Sequence, residues 1–238
     1  MCTVTYVPST NGYFLTSNRD EKNTRSTALE PKEYALNNIK IIFPKDVDAN
    51  GTWIVLKENG DSLCLLNGAF ENFTAKDNYT KSRGIIVLEI ASAENIVNAF
   101  ETINLVNIAP FTLVIVHSTV LFECRWDGEE KHILQLDNKL PYIWSSVTLY
   151  DKSQRKVRKN WFSNFVKVNQ FINQNSIINF HKNTGDENVE NNLVMNRDNK
   201  YFTVSITSIA VNENILQVQY QNLLTDKIYF AKFENEFA

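Results

Sequence analysis

The chain has 238 residues, with 24 Lys and Arg residues against 27 Asp and Glu residues, which gives a formal net charge of -3 at neutral pH. Because both signs of charge are spread along the chain, the composition excludes the basic footprint of a duplex nucleic-acid-binding protein. No apolar run approaches the roughly 18 residues of a membrane-spanning helix, and the first residues lack the pattern of a secretory signal. We therefore expect a cytoplasmic protein whose partner is a small molecule or another protein. The composition leaves the oligomeric state open.

Cysteine and histidine usage argues against a disulfide framework and predicts no metal site. The three cysteines are an odd set, and Cys64 and Cys124 lie in apolar, strand-like runs, which favours a reducing compartment. The three histidines are isolated along the chain, and no C-x-x-C motif accompanies them. We predict a protein without a metal or other cofactor. We also predict one domain over residues 1–238, since no repeat or linker divides the sequence.

The first part of the chain predicts two β-hairpins, each marked by an Asn-Gly pair. The predicted strands are residues 3–7 with 13–18, and residues 52–56 with 62–66. The first hairpin carries the far end of its second strand back toward the start of the chain. We predict no helix or strand in the polar, Pro-containing stretch between the two hairpins, residues 22–50.

The middle of the chain predicts a helix followed by a three-stranded meander. Residues 69–84 are predicted to be a loop, and residues 85–90 are either a buried strand or the lead-in to a helix. A helix over residues 92–105 is predicted to begin at an N-cap Ser92, because apolar residues recur there at helical spacing. Three closely connected strands are predicted at about 111–117, 120–126 and 130–136.

The last third predicts a long amphipathic helix and a β-rich end. After a short extended piece at residues 142–147, apolar residues follow a helical stripe from Asp151 to Asn175. Lys and Arg residues occupy other positions of this helix, and they form either a solvated face or part of a site for an anionic ligand. Residues 176–200 are predicted to be a loop with one or two helical turns. Strands are predicted at about 202–211, 214–222 and 227–233, which makes the chain α+β.

Cys2 is the strongest candidate for a reactive residue. Removal of Met1 would leave Cys2 with a free α-amine beside its thiol, so one residue would carry both a nucleophile and its base. The α-amine titrates near ~7.7–8.0 and a free thiol near ~8.5, which permits proton transfer from sulfur to nitrogen at neutral pH. Arg19, at the end of the second strand-like run, would favour the thiolate by its charge. The alternative is a cysteine at position 2 that has no catalytic role.

These residues resemble the NRDE family, also called the transport and Golgi organisation protein 2 family. The most specific feature is the combination of Cys2 before a strand with Asn18-Arg19-Asp20-Glu21 at the end of the next strand. Further motifs follow in the order that the family shows, and the resemblance covers nearly the whole chain. They are Arg25, Gly51-Thr52-Trp53, Leu66-Asn67, Ser82-Arg83-Gly84, and Trp161 on the helix that follows residue 146.

The NRDE family in turn resembles a branch of the N-terminal nucleophile hydrolases, whose cysteine members include penicillin V acylase and bile salt hydrolase. The resemblance implies their four-layer α-β-β-α sandwich. It implies catalytic roles for Cys2 as the nucleophile, for Arg19 and Asp20 beside the amine and thiol, and for Asn67 in the oxyanion hole. We assign substrate-binding roles to Asn18, Glu21, Arg25, Trp53 and Ser146.

Two positions depart from the pattern of these hydrolases. Ser146 stands where a second asparagine is expected, and a serine side chain is a shorter hydrogen-bond donor. Asp20 and Glu21 are adjacent, and only one of them can match the single aspartate of the relatives.

The residues are compatible with functions from different classes. The leading hypothesis is a cysteine amidohydrolase that acts on a small amide or acylated molecule. The alternative is a carrier that keeps the fold without the chemistry and holds a hydrophobic ligand such as haem or acyl-coenzyme A, as the resemblance suggests. A third interpretation is a structural domain in which Cys2 is merely buried.

Overall fold

The computed structural model describes residues 3–76 and 78–234, and these ranges contain fourteen strands and four helices. The elements in chain order are β1 (Thr3–Ser9), β2 (Gly12–Lys22), β3 (Leu29–Leu36), β4 (Ile39–Lys45), β5 (Ile54–Lys57), β6 (Ser62–Asn67), α1 (Arg83–Ala91), α2 (Ile96–Thr102), β7 (Phe111–His117), β8 (Val120–Trp126), β9 (Lys131–Leu136), β10 (Tyr142–Ser145), α3 (Lys152–Val168), α4 (Gln174–Asn183), β11 (Asn196–Arg197), β12 (Tyr201–Asn212), β13 (Ile215–Asn222) and β14 (Lys227–Lys232).

The strands form two antiparallel sheets of seven strands each within the described ranges. The first sheet has the order β10-β1-β2-β12-β13-β14, and the short strand β11 pairs with β12. The second sheet has the order β3-β4-β5-β6-β7-β8-β9. Strand β1 therefore lies inside the first sheet, between β2 and β10.

The two sheets pack face to face, and helices cover their outer faces. Between the sheets, Tyr13 of β2 donates a hydrogen bond to Ser62 of β6 at 2.8 Å, and the ring of Trp53 contacts that of Tyr220 on β13. Helices α1 and α2 pack against β5, β6 and β7, while α3 and α4 pack against the first sheet. This is the predicted four-layer α-β-β-α sandwich of the N-terminal nucleophile hydrolases, and the fold prediction is confirmed.

Both predicted hairpins and the predicted meander are confirmed. In the first hairpin Ser9 pairs with Gly12 across a two-residue turn, and the register carries Thr3 opposite Asn18. Asn11 in that turn adopts φ +61°, a left-handed conformation that asparagine tolerates better than most residues. The second hairpin joins β5 to β6, and β7, β8 and β9 form the meander. The three predicted C-terminal strands correspond to β12, β13 and β14.

The region between the two hairpins and the region after β6 differ from the sequence expectations. Residues 22–50 contain a further hairpin, β3 with β4. Residues 85–90 belong to helix α1, which decides between the two alternatives. The prediction that Ser92 is an N-cap is wrong, because Ser92 caps the carboxyl end of α1 and its hydroxyl donates to the Glu89 carbonyl oxygen at 2.8 Å. Asn95 caps α2 instead, accepting from two backbone N–H groups.

The prediction of one helix from Asp151 to Asn175 is also wrong. Asp151 is the N-cap, but α3 ends at Val168, and α4 begins after the N-cap Asn173. Phe171, which belonged to the predicted apolar stripe, is 90% exposed in the connection between the two helices. Residues 176–200, predicted to be a loop with one or two helical turns, contain residues 176–183 of α4, which is about two turns, and the short strand β11. No helix in the described part of the chain is long and apolar enough to span a membrane.

Candidate functional site

Strand β2 separates the side chains of residues 18–21 onto two faces of the first sheet. Successive side chains of a strand point to opposite faces, so Asn18 and Asp20 share one face and Arg19 and Glu21 share the other. The contacts agree: Asn18 and Asp20 bond to groups of the α3 and α4 layer, whereas Arg19 packs on Trp53 between the sheets. A β-bulge in β12 lies opposite this segment, because its register shifts between Thr203 and Ser205.

Arg19 is a buried cation that is held by carboxylates and an aromatic ring. Its Nη2 donates to Asp46 at 2.8 Å and lies 3.3 Å from a Glu21 oxygen, and its guanidinium lies 4.9 Å from the centre of the Trp53 ring. Arg19 is only 1% exposed, and its Nε has no hydrogen-bond partner among the described residues. One N–H of a buried guanidinium therefore remains available to a further acceptor.

Asp46 joins Arg19 to Arg25. Arg25 Nη2 donates to both Asp46 oxygens, at 2.8 and 2.7 Å, and its Nε lies 3.1 Å from Asp48. Burial opposes a charge on Asp46, but the Ala49 backbone N–H and the two guanidinium groups outweigh it and hold the pKa of Asp46 below its usual value. The carboxylate is therefore ionised at neutral pH and fixes the position of Arg19.

On the opposite face of β2, Asn18 bonds with the α4 layer. Its Nδ2 donates to the carbonyl oxygens of His181 and Leu193, at 3.2 and 2.5 Å, and its Oδ1 contacts His181 Nδ1. Because Oδ1 can only accept, Nδ1 carries the proton, and His181 Nε2 accepts from the Thr5 hydroxyl at 2.7 Å. Burial, reinforced by the charge of Arg158, lowers the pKa of His181 to about 3. His181 is therefore neutral and acts as a structural link.

Asp20 lies next along the same face and accepts two hydroxyl hydrogen bonds. Tyr150 donates to it at 2.7 Å and Thr203 at 2.5 Å, and Asp20 is 4% exposed. Glu21 is on the other face, and its side chain is 25% exposed. The structure thus gives the two adjacent carboxylates different surroundings, one buried among hydroxyl groups and one beside Arg19.

Arg158 of α3 fixes the start of β1. It is fully buried, and it donates to the Thr3 hydroxyl and to the carbonyl oxygens of Asn191 and Asn192. Its guanidinium also lies 3.5 Å from the centre of the Tyr150 ring. Because Tyr150 bonds to Asp20, these contacts form one buried network from α3 to β2, and the network holds the residue that follows Cys2.

Asn67 and Ser146 meet at the same end of the sandwich. The Ser146 hydroxyl donates to the Asn67 carbonyl oxygen at 2.8 Å, and it also lies 2.8 Å from the Thr148 hydroxyl. The Asn67 side chain makes no hydrogen bond with any residue that the structure describes. Gly68 follows at φ +80°, which turns the chain away at the end of β6.

A cavity of about 300 Å³ opens beside these two residues, and we call it the Asn67 cavity. Ser145, which lines it, pairs with Thr3 across β10 and β1, so the cavity lies at the end of the sandwich where β1 begins. Cys2 itself lies outside the described residues. The cavity is lined by Leu66, Asn67, Gly68, Ala69, Thr112, Arg125, Ile143, Trp144, Ser145, Ser146, Val147, Lys152, Arg155, Lys156 and Lys159.

The predicted site residues thus fall into three groups. Asn67 and Ser146 line the Asn67 cavity. Asn18 and Asp20 are buried against the α3 and α4 layer. The third group comprises Arg19, Glu21, Arg25 and the fully buried Trp53, gathered around Asp46 or stacked beneath Arg19.

Sequence reasoning missed several polar partners of these groups. Four residues bond directly to predicted site residues or to Thr3, yet they lie 27 to 183 positions away from them and share no motif with them: Asp46, Tyr150, Arg158 and Thr203. The sequence offers one signal, the basic character of α3, but this signal does not distinguish Arg158 from the other cations of the helix. The described residues contain no group of three or more His, Cys, Asp and Glu side chains placed to hold a metal ion.

Comparison with known protein families identifies the family of the chain. A family model described as Transport and Golgi organisation 2 matches residues 1–225. The chain belongs to the Transport and Golgi organisation 2 family. A search of curated proteins finds no match.

Solved structures similar to this Transport and Golgi organisation 2 family member include an acylase, a bile acid hydrolase and an acid amidase. Penicillin V acylase from Agrobacterium tumefaciens matches with a TM-score of 0.59 at 13% identity, over 98% of this chain and 86% of that chain. A variant of conjugated bile acid hydrolase from Clostridium perfringens matches with a TM-score of 0.63 at 11% identity, over 98% and 94%. The Caenorhabditis elegans ortholog of N-acylethanolamine-hydrolyzing acid amidase gives 0.58 at 14% identity, over 87% and 92%. At these identities the likeness establishes the shared fold.

Proposed function

We propose that this protein is a cysteine N-terminal nucleophile amidohydrolase that acts on a small amide or acylated substrate, with its reaction centre at the Asn67 cavity. The observation that carries the proposal is the position of this cavity: it opens where β1 begins, in a fold shared with amide-hydrolysing enzymes. Thr3, the neighbour of Cys2 in the chain, pairs with Ser145 in the cavity wall. The residue next to Cys2 in the chain therefore pairs with a residue of the cavity wall, which supports a reaction centre at this end of the sandwich.

In the first half of the proposed reaction, the Cys2 thiolate attacks the substrate carbonyl carbon. The α-amine of Cys2 takes the thiol proton, a carbon–sulfur bond forms, and the carbonyl oxygen becomes an oxyanion. The Asn67 side chain, which makes no hydrogen bond with the described residues, is the donor assigned to that oxyanion. The α-ammonium then returns the proton to the leaving amine as the carbon–nitrogen bond breaks.

In the second half, water hydrolyses the thioester. The α-amine takes a proton from water, the new carbon–oxygen bond forms, and the carbon–sulfur bond breaks to release the acid and regenerate the thiol. The Ser146 hydroxyl already donates to the Asn67 carbonyl oxygen or contacts Thr148, so we assign it the role of holding Asn67 in place. This role differs from that of a second oxyanion donor.

Arg19 and Asp20 have separate roles in this proposal. Arg19 is buried and has a free Nε–H, so its charge stabilises the thiolate, although Asp46 and Glu21 partly offset it. Asp20, held by Tyr150 and Thr203, supplies a buried carboxylate for the α-ammonium that forms during the reaction. Glu21 and Arg25 orient Arg19, directly or through Asp46.

The test is hydrolysis of a panel of N-acyl amides by the mature chain, followed through the released amine. We expect Cys2→Ala to abolish turnover and Asn67→Ala to lower kcat roughly 10²- to 10³-fold with a smaller change in KM, because an oxyanion donor acts mainly in the transition state. A variant with Gly-Ser placed before Cys2 should also be inactive, since its cysteine has no free α-amine.

Binding measurements on the same variants separate the enzyme from the carrier. Equal turnover by wild type and Cys2→Ala would overturn the proposal. Tight binding of haem or an acyl-coenzyme A, without hydrolysis of any panel member and without an acyl adduct on Cys2, would instead identify the protein as a carrier.

A further inference from the structure

We infer that the Asn67 cavity binds a ligand with an acidic group, a carboxylate or phosphate, which the cations of α3 hold at the cavity wall. This inference deepens the proposed function, because it names the substrate class of the same site. It rests on the charges that line the cavity, and it requires no assumption about catalysis.

The described residues that line the cavity include five cations and no carboxylate. Arg125 comes from β8, and the first half of α3 contributes the other four, which are Lys152, Arg155, Lys156 and Lys159. The whole chain has a net charge of -3, with acidic residues outnumbering basic ones. Five of its 24 basic residues therefore line one cavity of about 300 Å³, although the chain as a whole is acidic.

Only part of this positive charge is neutralised by neighbouring carboxylates. Glu123 bonds to Arg125 at 2.9 Å, and Glu71 lies 3.5 Å from Lys152 in a pair that is exposed to solvent on both sides. Arg155 donates to the Asp151 carbonyl oxygen, and its charge is also attracted to the Asp151 carboxylate. Lys156 and Lys159 form no ion pair with any described residue. At least two ammonium groups at the cavity are thus free to bind an added anion.

The spacing of these cations works against helix stability. Residues 152, 155, 156 and 159 are three or four positions apart, so they lie on one face of α3, and like charges at these spacings destabilise a helix. A purely solvated face would gain from alternating charges. A bound anion would convert this repulsion into attraction, which gives the arrangement a physical reason.

The cavity suits a ligand with both an acidic group and an apolar part. Its volume is at the lower end of the range for small-molecule sites, and Leu66, Ile143, Trp144 and Val147 line it beside the cations. An acyl chain would contact these side chains while the acid lies toward α3. We therefore expect N-acyl amino acids or acyl phosphates to bind better than neutral amides of the same length.

The experiment is calorimetric titration of the full-length Cys2→Ala chain, which removes the proposed nucleophile, with matched probes. The probes are N-octanoylglycine, its neutral amide N-octanoylglycinamide, and octyl phosphate. We expect the two acids to bind roughly 10-fold more tightly than the amide at low salt, and the advantage to shrink at 0.5 M NaCl as screening increases. The stronger of the two acids identifies whether carboxylate or phosphate is preferred.

A matched pair of double variants locates the anion site. Lys156→Gln/Lys159→Gln should weaken acid binding roughly 3- to 20-fold and leave amide binding unchanged. Lys167→Gln/Lys182→Gln makes the same change in net charge on exposed helix positions outside the cavity, and it should leave both affinities unchanged.

Three outcomes would overturn the inference: no binding of either acid at millimolar concentration, equal affinity for acid and amide, or equal losses in the two double variants. These results are independent of turnover. Acid binding that depends on Lys156 and Lys159 in a protein that never hydrolyses amides would retain the anion site and reject the proposed amidohydrolase.

Discussion

Cys64 and Cys124 are thiols whose surroundings suppress reactivity. Both are completely buried, and burial raises the pKa of each to about 12. Ser17, hydrogen-bonded to Cys64, offsets only part of this effect, and the charge of Glu123 adds to it at Cys124. Since the thiolate is the reactive form, both residues should be inert in the folded protein.

The first prediction is therefore selective alkylation. At pH 7.5, iodoacetamide should modify Cys2 in the folded chain well before Cys64 or Cys124, and all three should react after unfolding in urea. Peptide mass spectrometry measures the rates, and intact mass shows at the same time whether Met1 has been removed. Equal labelling of all three cysteines in the folded chain, or a retained Met1, would contradict the proposed nucleophile.

His181 gives a second prediction at the residue scale. Its pKa in the folded protein is about 3, whereas an unfolded histidine titrates near ~6.5, so below pH 6.5 the unfolded state binds a proton that the folded state excludes. The neutral His181 is thus compatible with full stability above pH 6.5, and stability falls as the pH drops toward 3. We expect a loss of about 1.5 kcal/mol between pH 6.5 and pH 5 from this group alone.

The measurement compares wild type with His181→Gln in urea unfolding at several pH values. The variant should be less stable at pH 7, because it loses the hydrogen bonds of the imidazole ring with Thr5 and Asn18. Its stability should nevertheless fall less steeply between pH 6.5 and pH 5. If the free energies of unfolding of the two proteins changed in parallel with pH, burial would not keep His181 unprotonated in the folded protein, and the prediction would be wrong.

The loop between β4 and β5 packs one family motif, Gly51-Thr52-Trp53, against another, Ser82-Arg83-Gly84. The Asp46 N–H donates to the Gly51 carbonyl oxygen at 2.9 Å, which closes the loop that presents Asp46 to Arg19. Thr52 N–H donates to the Gly84 carbonyl oxygen at 3.2 Å in the first turn of α1. Gly51 allows this close approach, because a Cβ there would lie 2.3 Å from the Gly84 carbonyl carbon.

The third prediction follows from this contact. Gly51→Ala should lower the free energy of unfolding by about 2–3 kcal/mol, because backbone atoms must move to accept the added methyl group. Gly84→Ala should cost less, since its Cβ would lie 2.9 Å from the nearest atom, the Thr52 carbonyl oxygen. Urea denaturation measures both, and a loss below about 0.5 kcal/mol for Gly51→Ala would contradict the predicted clash.

At the scale of the whole molecule, the second sheet contains the most protected part of the fold. Strands β6 and β7 are buried along almost their entire length, since the first sheet covers one face and α1 and α2 cover the other. Strand β14 is at the edge of the first sheet, with four of its six residues exposed. Local opening should therefore differ strongly between these strands.

The fourth prediction concerns amide hydrogen exchange. Peptides from β6 and β7 should exchange most slowly, close to the rate set by global unfolding, whereas β14 should exchange far faster through local opening. Mass-spectrometric exchange at neutral pH measures both regions in one experiment. Similar protection of β14 and β7 would show that the edge strand opens only with the rest of the fold.

The sequence alone determined the elements that depend on local signals. The hairpins around Gly12 and Gly60 and the meander from Phe111 to Leu136 follow from alternating apolar residues and short turns, which neighbouring residues specify without help from the rest of the chain. The family motifs near Arg19 and Asn67 were also visible, and with them the fold class.

Tertiary structure decided where the apolar stripe of the long helix ends and which side chains share a site. The stripe continued through Phe171 in the sequence, but the chain breaks between α3 and α4 and leaves Phe171 exposed. Asp46 reaches Arg19 and Arg158 reaches Thr3 only because sheets and helices stack residues that are far apart in the chain. Periodicity describes the face on which a residue lies, whereas its partner depends on the packing of the layers.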